Sequence, residues 1–307
     1  MKRLCKVFTV LAFLAVVATM VNAIIFRLAN FRKASQKGFL YKWRHGDIRY
    51  IVEGSGAPLL LIHDLDIGAS RAEWDAHVDN LAKHYRVYAL DLVGFGHSEK
   101  PHTTYSSYLY VSLINAFIRD VIGAKVNIAA TGRSADHAVM AYYLEPHLYQ
   151  KMLLICPTGL CETHLFPNHK SFWLRNILNT PVIGTSIYNI MASRLALKYH
   201  LKKHSFHNKK AVTRSITNQF YYYAHLDGAA SRHPIAHLLS NYLNVRIEHA
   251  LPRLNLPVHI LWGANPNSKK VKQINPKITH SVLASTKSYP HLEDPQVFHK
   301  QCLSFFA

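Results

Sequence analysis

The chain has 307 residues, of which 49% are hydrophobic and 17% are charged, and its formal net charge is +19. This apolar content excludes an intrinsically disordered polymer, and the length suffices for one large domain or two ordinary ones. The positive charge favours an anionic partner, either a phospholipid surface or nucleic acid. The four cysteines, Cys5, Cys156, Cys161 and Cys302, lack the spacing of a metal site or a disulfide framework.

The N-terminal segment 7–26 is almost wholly apolar. Twenty helical residues span about 30 Å, the thickness of the hydrocarbon core of a bilayer. We therefore predict a transmembrane anchor here, followed by a basic tether over 27–38. A secretory signal is the alternative, because a basic stretch precedes the apolar run and Val21-Asn22-Ala23 could be cleaved. Basic residues on both flanks leave the orientation open, with the extracytoplasmic side favoured for the soluble part.

Short apolar runs typical of buried strands alternate with helix-period segments along most of the remaining chain. The predicted strands are 47–53, 58–63, 86–91, 125–131, 151–156, 258–262 and 280–284. The predicted helices between and after them are 71–84, 106–123, 134–145 and 292–306. This alternation predicts an α/β fold with a mostly parallel sheet, helices on both faces and a hairpin-like opening near Gly46.

The alternation breaks in the segment 159–251, where helical patterns follow one another without a convincing strand. We predict a helical cap there, inserted into a core formed by 39–158 and 252–307. The cap is strongly cationic, and within 184–203 an apolar face and a basic face are compatible with binding to anionic lipid. An ordinary solvated basic face is the alternative. Nucleic acid is not an expected partner, because no recognised binding module accompanies the charge.

The sequence Gly132-Arg133-Ser134-Ala135-Asp136 lies between a predicted strand and a predicted helix. Four of its five residues fit a nucleophile elbow, in which a serine stands on a strained turn at the carboxyl end of a strand. Ser134 is thus the candidate nucleophile. Gly-x-Ser alone is a weak signal, but two other strands end in polar motifs, one at His63 and one in the run 91–98.

These motifs resemble the α/β-hydrolase family, in particular its branch of esterases, lipases, epoxide hydrolases and dehalogenases with a cap after strand six. The resemblance covers about residues 39–307. Its carriers are LLIHD at 60–64, the Asp-x-x-Gly-x-Gly-x-Ser run at 91–98, TGRSAD at 131–136, LLICPTG at 153–159, ILWG at 260–263 and YPHLEDP at 289–295. The resemblance implies an α/β-hydrolase fold.

A serine nucleophile needs a histidine to take its proton and a carboxylate to orient that histidine. The resemblance places the carboxylate shortly after Gly263, where Pro266 and its neighbours contain none. It places the histidine just before Tyr289, where the chain has Ser288. Two of the three triad positions are therefore changed, and His291, three residues further on, is the candidate substitute base.

Glycines are also replaced near the expected site. The resemblance implies backbone N–H donors at Leu65 and Ala135 for an oxyanion hole, but the residue after His63 is Asp64 and the second elbow glycine is Asp136. An ionised Asp64 opposes developing negative charge unless its pKa rises or its side chain points away. We expect His63, Asp64 and Asp136 to line the pocket. With His137 these residues combine imidazole and carboxylate groups of the kind that bind zinc or iron, but no metal or cofactor is expected.

Two functions from different classes follow. The first is a membrane-anchored serine hydrolase of ester or lipid-derived substrates with Ser134 as nucleophile. The second is a pseudoenzyme that binds an apolar ligand, lipid or a protein partner without turnover.

Overall fold

The structure is a computed structural model that describes residues 2–30, 38–160, 165–264, 271 and 273–307. Its described residues form one eight-stranded sheet in the order β1-β2-β4-β3-β5-β6-β7-β8. The strands are β1 (Phe39–Trp43), β2 (Gly46–Glu53), β3 (Ala57–Ile62), β4 (Tyr85–Leu90), β5 (Val126–Thr131), β6 (Tyr149–Ile155), β7 (Val258–Trp262) and β8 (Thr279–Val282).

Strand β2 runs antiparallel to both of its neighbours, and the pairs from β4 to β8 are all parallel. The predicted α/β architecture with a mostly parallel sheet is thereby confirmed. Strand β1 was not predicted as a strand. It pairs with β2 across a tight hairpin in which Trp43 opposes Gly46, at the expected opening.

The helices follow in chain order. They are α1 (Lys2–Ala29), α2 (Asp75–Leu81), α3 (Ser107–Phe117), α4 (Gly132–Leu144), α5 (His169–Asn179), α6 (Ile183–Met191), α7 (Arg194–His200), α8 (Arg214–His225), α9 (Arg232–Leu239), α10 (Pro290–Glu293) and α11 (Pro295–Phe306). Helix α4 begins two residues earlier than predicted, which proves decisive for the site. The predicted helix over 184–203 is interrupted at Ser193, whose side chain caps α7 by accepting the N–H of Ala196.

Alternate residues of the central strands bury on opposite faces of the sheet, as the two-residue period of a strand requires. Leu60 and Ile62 of β3 face one apolar cluster, which also contains residues of α3 and α4. Leu59 and Leu61 face the other, with Trp74 and Phe298 from the opposite layer. Helices therefore cover both faces, and the carboxyl ends of the parallel strands meet at one edge.

Helices α5 to α9, here called the cap helices, all lie between β6 and β7. They fall within the segment 159–251 predicted as a cap, although the division of the chain into core and cap stays an expectation. Helix α1 contacts α6 and α8 of this group. Among the described residues α1 alone is long and apolar enough to cross a membrane, and a signal sequence near an N-terminus has the same character.

The loop after β4 is organised by a buried aspartate. Asp91 is fully buried and accepts the backbone N–H groups of Arg71, at 2.7 Å, and His97, at 3.0 Å. Gly96 adopts a φ of +51°, and a Cβ there would lie 2.0 Å from Asp91 Oδ1. The glycine of this motif is therefore needed because the backbone turns directly against the carboxylate.

Candidate active site

The strand-to-helix turn after β5 has its special backbone conformation at Gly132. Strand β5 ends at Thr131, α4 begins at Gly132, and the φ of Gly132 is +54°. Within the described chain, neither Arg133 nor Ser134 has a positive φ. Because a nucleophile elbow places its reactive residue on this strained turn, the position of the nucleophile is occupied by Gly132. That residue has no side chain to react.

The carboxyl group of Asp64 lies where a side chain of residue 132 would begin. A Cβ on Gly132 would lie 2.2 Å from the Asp64 carboxyl atoms. Oδ1 of Asp64 accepts the N–H of Leu65 at 2.7 Å and the N–H of Arg133 at 2.9 Å. An oxyanion hole consists of the N–H after the nucleophile and an N–H from the loop after β3. The chain's own carboxylate oxygen therefore occupies the oxyanion hole.

Burial dominates the electrostatics around this carboxyl group. Desolvation raises the pKa of Asp64 to about 7, although the positive charge of Arg133 opposes the shift. Behind it lies Glu73, whose Oε2 accepts the N–H of Asp64 at 3.1 Å and whose Oε1 accepts the hydroxyl of Thr131 at 2.6 Å. Burial likewise raises the pKa of Glu73 to about 7. Both carboxyl groups are therefore partly protonated near neutral pH, because desolvation disfavours their negative charge.

Ser134 is not at the elbow apex, and this corrects the sequence-based assignment. It is the third residue of α4, is fully buried, and its Oγ has no hydrogen-bond partner among the described residues. Ala135, the expected oxyanion donor, is likewise inside the helix and fully buried. The donor role belongs geometrically to Arg133. Leu65 does present its N–H at the expected place, but to Asp64 rather than to a substrate.

His291 does not replace the missing base. Its Nε2 lies 2.9 Å from Glu73 Oε1, without the alignment of a hydrogen bond, and its ring stacks on Trp74 at 4.9 Å. Burial lowers the pKa of His291 to about 3, so the imidazole is neutral at physiological pH. His291 therefore lies beneath the sheet edge, between the Glu73 carboxyl group and the Trp74 ring, and is not part of the cavity lining.

His63 and Asp136 are structural rather than pocket-lining, contrary to expectation. His63 is fully buried, accepts the N–H of Leu92 on Nε2 at 3.0 Å, and therefore donates from Nδ1 to the next residue's carbonyl at 2.6 Å. Asp136 accepts the N–H and hydroxyl of Thr158 and the N–H of Gly159, which fixes the loop after β6. Neither side chain reaches the cavity described below.

A cavity of about 360 Å³ lies over Gly132 at the carboxyl ends of β3, β5 and β6. It is lined by Asp64, Asp66, Gly132, Arg133, Cys156, Thr158, His200, His204, Ser205, Leu238, Leu239, Asn241, Ser288 and Tyr289. Ser134 is not among these residues. The lining combines polar side chains of both charge signs with apolar surface from Leu238, Leu239 and Tyr289.

The cavity contains an ion pair that sequence reasoning missed. His200 of α7 lies with Nε2 3.0 Å from Oδ2 of Asp66. Burial raises the pKa of Asp66, but the hydrogen bond and charge of His200 outweigh that effect and the net pKa is lowered. The same hydrogen bond raises the pKa of His200. No spacing in the sequence marks this pair, because its two members are joined only by the folding of the cap helices over the core.

Two further residues at the cavity donate hydrogen bonds to backbone carbonyls. Ser288, at the expected position of the base, lines the cavity and donates its N–H to the carbonyl of Ser205 at 3.0 Å. Cys156 donates its thiol to the carbonyl of Lys287 at 3.2 Å, and burial raises its thiol pKa to about 12. A thiol with that pKa is a poor nucleophile at neutral pH. The expected acid position at Pro266 lies outside the described residues.

The described residues contain no group of three or more histidine, cysteine or acidic side chains arranged to hold a metal ion. In particular, His63 and Asp136 are committed to backbone groups on different loops. The expectation of no cofactor stays a prediction.

Comparison with known proteins identifies the family of this chain. A model of the α/β hydrolase family matches residues 59–301. A 2-hydroxy-6-oxo-6-(2'-aminophenyl)hexa-2,4-dienoic acid hydrolase from Metapseudomonas resinovorans is 31% identical over 116 residues, 37% of this chain and 40% of the relative. A pimeloyl-[acyl-carrier protein] methyl ester esterase from Aliivibrio fischeri is 46% identical over 46 residues, 15% and 17% of the two chains. The chain thus matches well under half the length of these relatives.

Solved structures extend the likeness of fold over most of the chain. A serine hydrolase involved in carbazole degradation superposes with a TM-score of 0.72 at 19% identity, covering 88% of this chain and 98% of the other. A membrane phospholipase A superposes with a TM-score of 0.70 at 20% identity, covering 100% of this chain and 98% of the other. With the family model spanning most of the sheet and the site lying at its carboxyl edge, this chain belongs to the α/β-hydrolase family.

Proposed function

We propose that this protein is a membrane-anchored, non-hydrolytic member of its family that binds a small polar molecule in the cavity over Gly132. The proposal depends on two features that occur together. Gly132 stands where the nucleophile should be, and the carboxyl group of Asp64 occupies the oxyanion hole. Acyl transfer needs a nucleophile on the turn and free donors for the developing oxyanion. This chain offers neither at that position.

The character of the cavity supports a polar ligand. Its volume of about 360 Å³ is at the small end of ligand sites. The Asp66–His200 pair and Arg133 present charges of both signs, and Tyr289 adds an aromatic wall. The small volume and the charged groups of both signs favour a compact molecule with donors and acceptors over a long acyl chain, although Leu238 and Leu239 add apolar surface.

Slow hydrolysis by a cavity hydroxyl is the competing function, and the Asp66–His200 pair is the observation that favours it. His200 is poorly placed as a general base, because its Nε2 is bonded to Asp66 and, among the described residues, no hydrogen bond joins its ring to the hydroxyl of Ser205 or Ser288. The cavity hydroxyls of Ser205 and Ser288 are therefore left without an efficient proton acceptor.

A fluorophosphonate probe separates these functions. The full chain in detergent is incubated with the probe and its intact mass is measured, with peptide mapping and a Ser134→Ala control. We expect no adduct while circular dichroism shows a folded protein. An adduct on Ser134, Ser205 or Ser288, together with turnover of short-chain esters, would establish hydrolysis and end the proposal.

Ligand binding is tested on small molecules that accompany the purified full chain. Ser288→Trp fills the cavity, and Val282→Trp, at an exposed position on β8, is the matched control. We expect mass spectrometry to detect a polar molecule enriched with the wild type and with Val282→Trp but depleted with Ser288→Trp. Equal recovery from all three proteins contradicts binding in this cavity.

A further inference from the structure

The last third of α1 is docked on the cap helices by one stripe of residues. Asn22, only 7% exposed, donates Nδ2 to Ser186 Oγ at 3.1 Å and accepts the Asn189 amide on Oδ1 at 2.8 Å. Two turns later, Asn30 donates to the carbonyl of His225 at 2.8 Å. These hydrogen bonds fix α1 against α6 and α8, as polar residues do between helices in a membrane.

The length of α1 determines how deeply the cap helices enter the bilayer. The apolar segment 7–26 needs a hydrocarbon environment over its whole length, yet from Ala18 onward one side of the helix is covered by protein. The eleven free residues 7–17 span about 16 Å, half of the roughly 30 Å hydrocarbon core. The docked part of α1 must therefore span the other half of the hydrocarbon core. Because α6 is packed against this part of α1, α6 must enter the same leaflet.

The outer surface of the cap helices beside α1 is suited to lipid. Ile190 of α6 is 70% exposed and Leu195 of α7 is 82% exposed, with Ile183 also exposed. Large apolar side chains clustered beside an apolar helix are typical of a membrane contact rather than of a solvated surface. Lipid is the expected partner of this apolar face, since the neighbouring helix α1 is itself long enough to span a membrane.

A cationic cleft lies where α1 ends. It measures about 670 Å³ and is lined by Leu28 and Ala29 of α1, by Arg194 and Arg214, and by tyrosines 221–223 of α8. Arg194 is held in place, because its Nε donates to Asn218 Oδ1 at 3.1 Å and its guanidinium lies 3.7 Å from the centre of the Tyr221 ring.

In the described part of the chain neither arginine of the cleft has a carboxylate within ion-pair distance. Tyrosine and arginine at the end of an apolar helix are the residues expected at the level of lipid headgroups. Guanidinium groups bind phosphate through several N–H donors. The cleft therefore offers its unpaired positive charge at the depth where lipid phosphates lie.

We propose that the cap helices are a lipid-docking surface, in which α6 and α7 enter one leaflet beside α1 while Arg194 and Arg214 hold the phosphate of an anionic phospholipid. The inference rests on the membrane anchor of the proposed function, but not on the cavity or on the absence of hydrolysis.

Depth is tested with the full chain in nanodiscs, one chain per disc, using tryptophan quenching by brominated phosphatidylcholine. Trp173→Phe removes the exposed native tryptophan, and Trp43, Trp74 and Trp262 are buried. A tryptophan is then introduced as Ile190→Trp or, as control, Leu144→Trp at the far end of α4. We expect several-fold stronger quenching for Ile190→Trp. Equal and weak quenching at both positions, with α1 still inserted, overturns the docking of the cap.

The cleft is tested by lipid exchange between nanodiscs containing phosphatidylglycerol and discs of phosphatidylcholine alone. We expect Arg194→Gln with Arg214→Gln to reduce the retention of phosphatidylglycerol on the purified protein about thirtyfold, which corresponds to about 1 kcal/mol for each of two basic residues. Lys209→Gln with Lys210→Gln, which removes the same charge outside the cleft, should change retention little. Equal losses for both pairs, or displacement by inorganic phosphate without lipid, contradict a headgroup site.

Extraction with alkaline carbonate separates this failure from that of the proposed function. If the full chain is released from membranes, the anchor itself is wrong. If the chain stays inserted while Ile190→Trp remains unquenched, only the docking of the cap is wrong.

Discussion

Two aspartates in this molecule follow neighbouring parallel strands and accept two backbone N–H groups each, but Asp91 is fully buried whereas Asp64 is partly exposed to the cavity. Asp91 closes the loop after β4 with bonds to Arg71 and His97. Asp64 bonds to Leu65 and Arg133 in the oxyanion hole. Burial raises the pKa of both, but hydrogen bonds from His97 and Arg71, together with nearby His63, outweigh it at Asp91 and lower its pKa, whereas the pKa of Asp64 rises to about 7.

The difference separates a carboxylate that builds the fold from one that occupies a reaction site. The surroundings of Asp91 stabilise its charge, and Gly96 provides the close approach of the backbone. The N–H donors around Asp64 are those that bind the substrate oxyanion in a hydrolase. Their hydrogen bonds do not offset the rise in pKa that desolvation causes. The chain thus has the fold of the family, but its own Asp64 side chain occupies the oxyanion hole.

The largest expected effect comes from restoring a side chain at the elbow. Gly132→Ser adds a Cβ 2.2 Å from the Asp64 carboxyl group at a φ of +54°. Backbone strain costs about 1 kcal/mol and overpacking about 2 kcal/mol more. Gly123→Ser is the matched control, because its φ is +66° and nothing lies within 4 Å of an added Cβ. Denaturant titration should show about three times the destabilisation for Gly132→Ser; equal losses would refute the steric argument.

Removal of the side chain of Asp91 or Asp64 should lower the unfolding free energy by different amounts. Asp91→Ala leaves two buried N–H groups without acceptors, so we expect a loss of about 3 kcal/mol in unfolding free energy. Asp64→Ala leaves its donors facing the cavity, where water can replace the carboxylate, so we expect a loss of about 1 kcal/mol at most. Chemical denaturation at pH 7 measures both. A larger loss for Asp64→Ala would reverse the assignment of roles.

The pH dependence of stability has opposite signs for the two sites. The raised pKa of Asp64 means that its contribution is present below the ordinary value of 3.8 and is lost as pH rises toward 7. The lowered pKa of Asp91 gives a contribution present above 3.8 and lost as pH falls below it. Asp64→Asn keeps an acceptor but cannot titrate.

Wild type should therefore lose stability relative to Asp64→Asn between pH 4 and pH 7. We expect a loss of about 1 to 2 kcal/mol, less than the full shift would give because the carboxyl group is reached from the cavity. Thermal melts of both proteins across this range measure the difference. A constant difference would mean that Asp64 does not titrate abnormally.

The smallest effect is expected at Ser134. Its Oγ is buried without a partner in the described structure, so Ser134→Ala should leave stability unchanged or raise it by up to about 1 kcal/mol. Thermal shift measures this change. A clear destabilisation would show that the hydroxyl has a partner and would reopen its assignment.

Sequence patterns predicted the sheet and the helices on both faces, because both depend on local periodicity and motif order. The sequence-based assignment of the nucleophile position was wrong by two residues, at Ser134 instead of Gly132. Gly132-Arg133-Ser134 has the pattern of a glycine followed by a nucleophile, and only the φ of Gly132 reveals that the glycine itself is on the turn. The Asp66–His200 pair was beyond reach, since it depends on how the cap helices close over the core.

The central claim is tested most directly by a double-mutant cycle between Asp64 and Gly132. Unfolding free energies are measured for the wild type, Asp64→Gly, Gly132→Ser and the double variant. We predict a coupling of about 2 kcal/mol, with Asp64→Gly relieving most of the steric cost of Gly132→Ser. If the two changes add within about 0.5 kcal/mol, the Asp64 carboxyl group does not occupy the place of the nucleophile and the account is wrong.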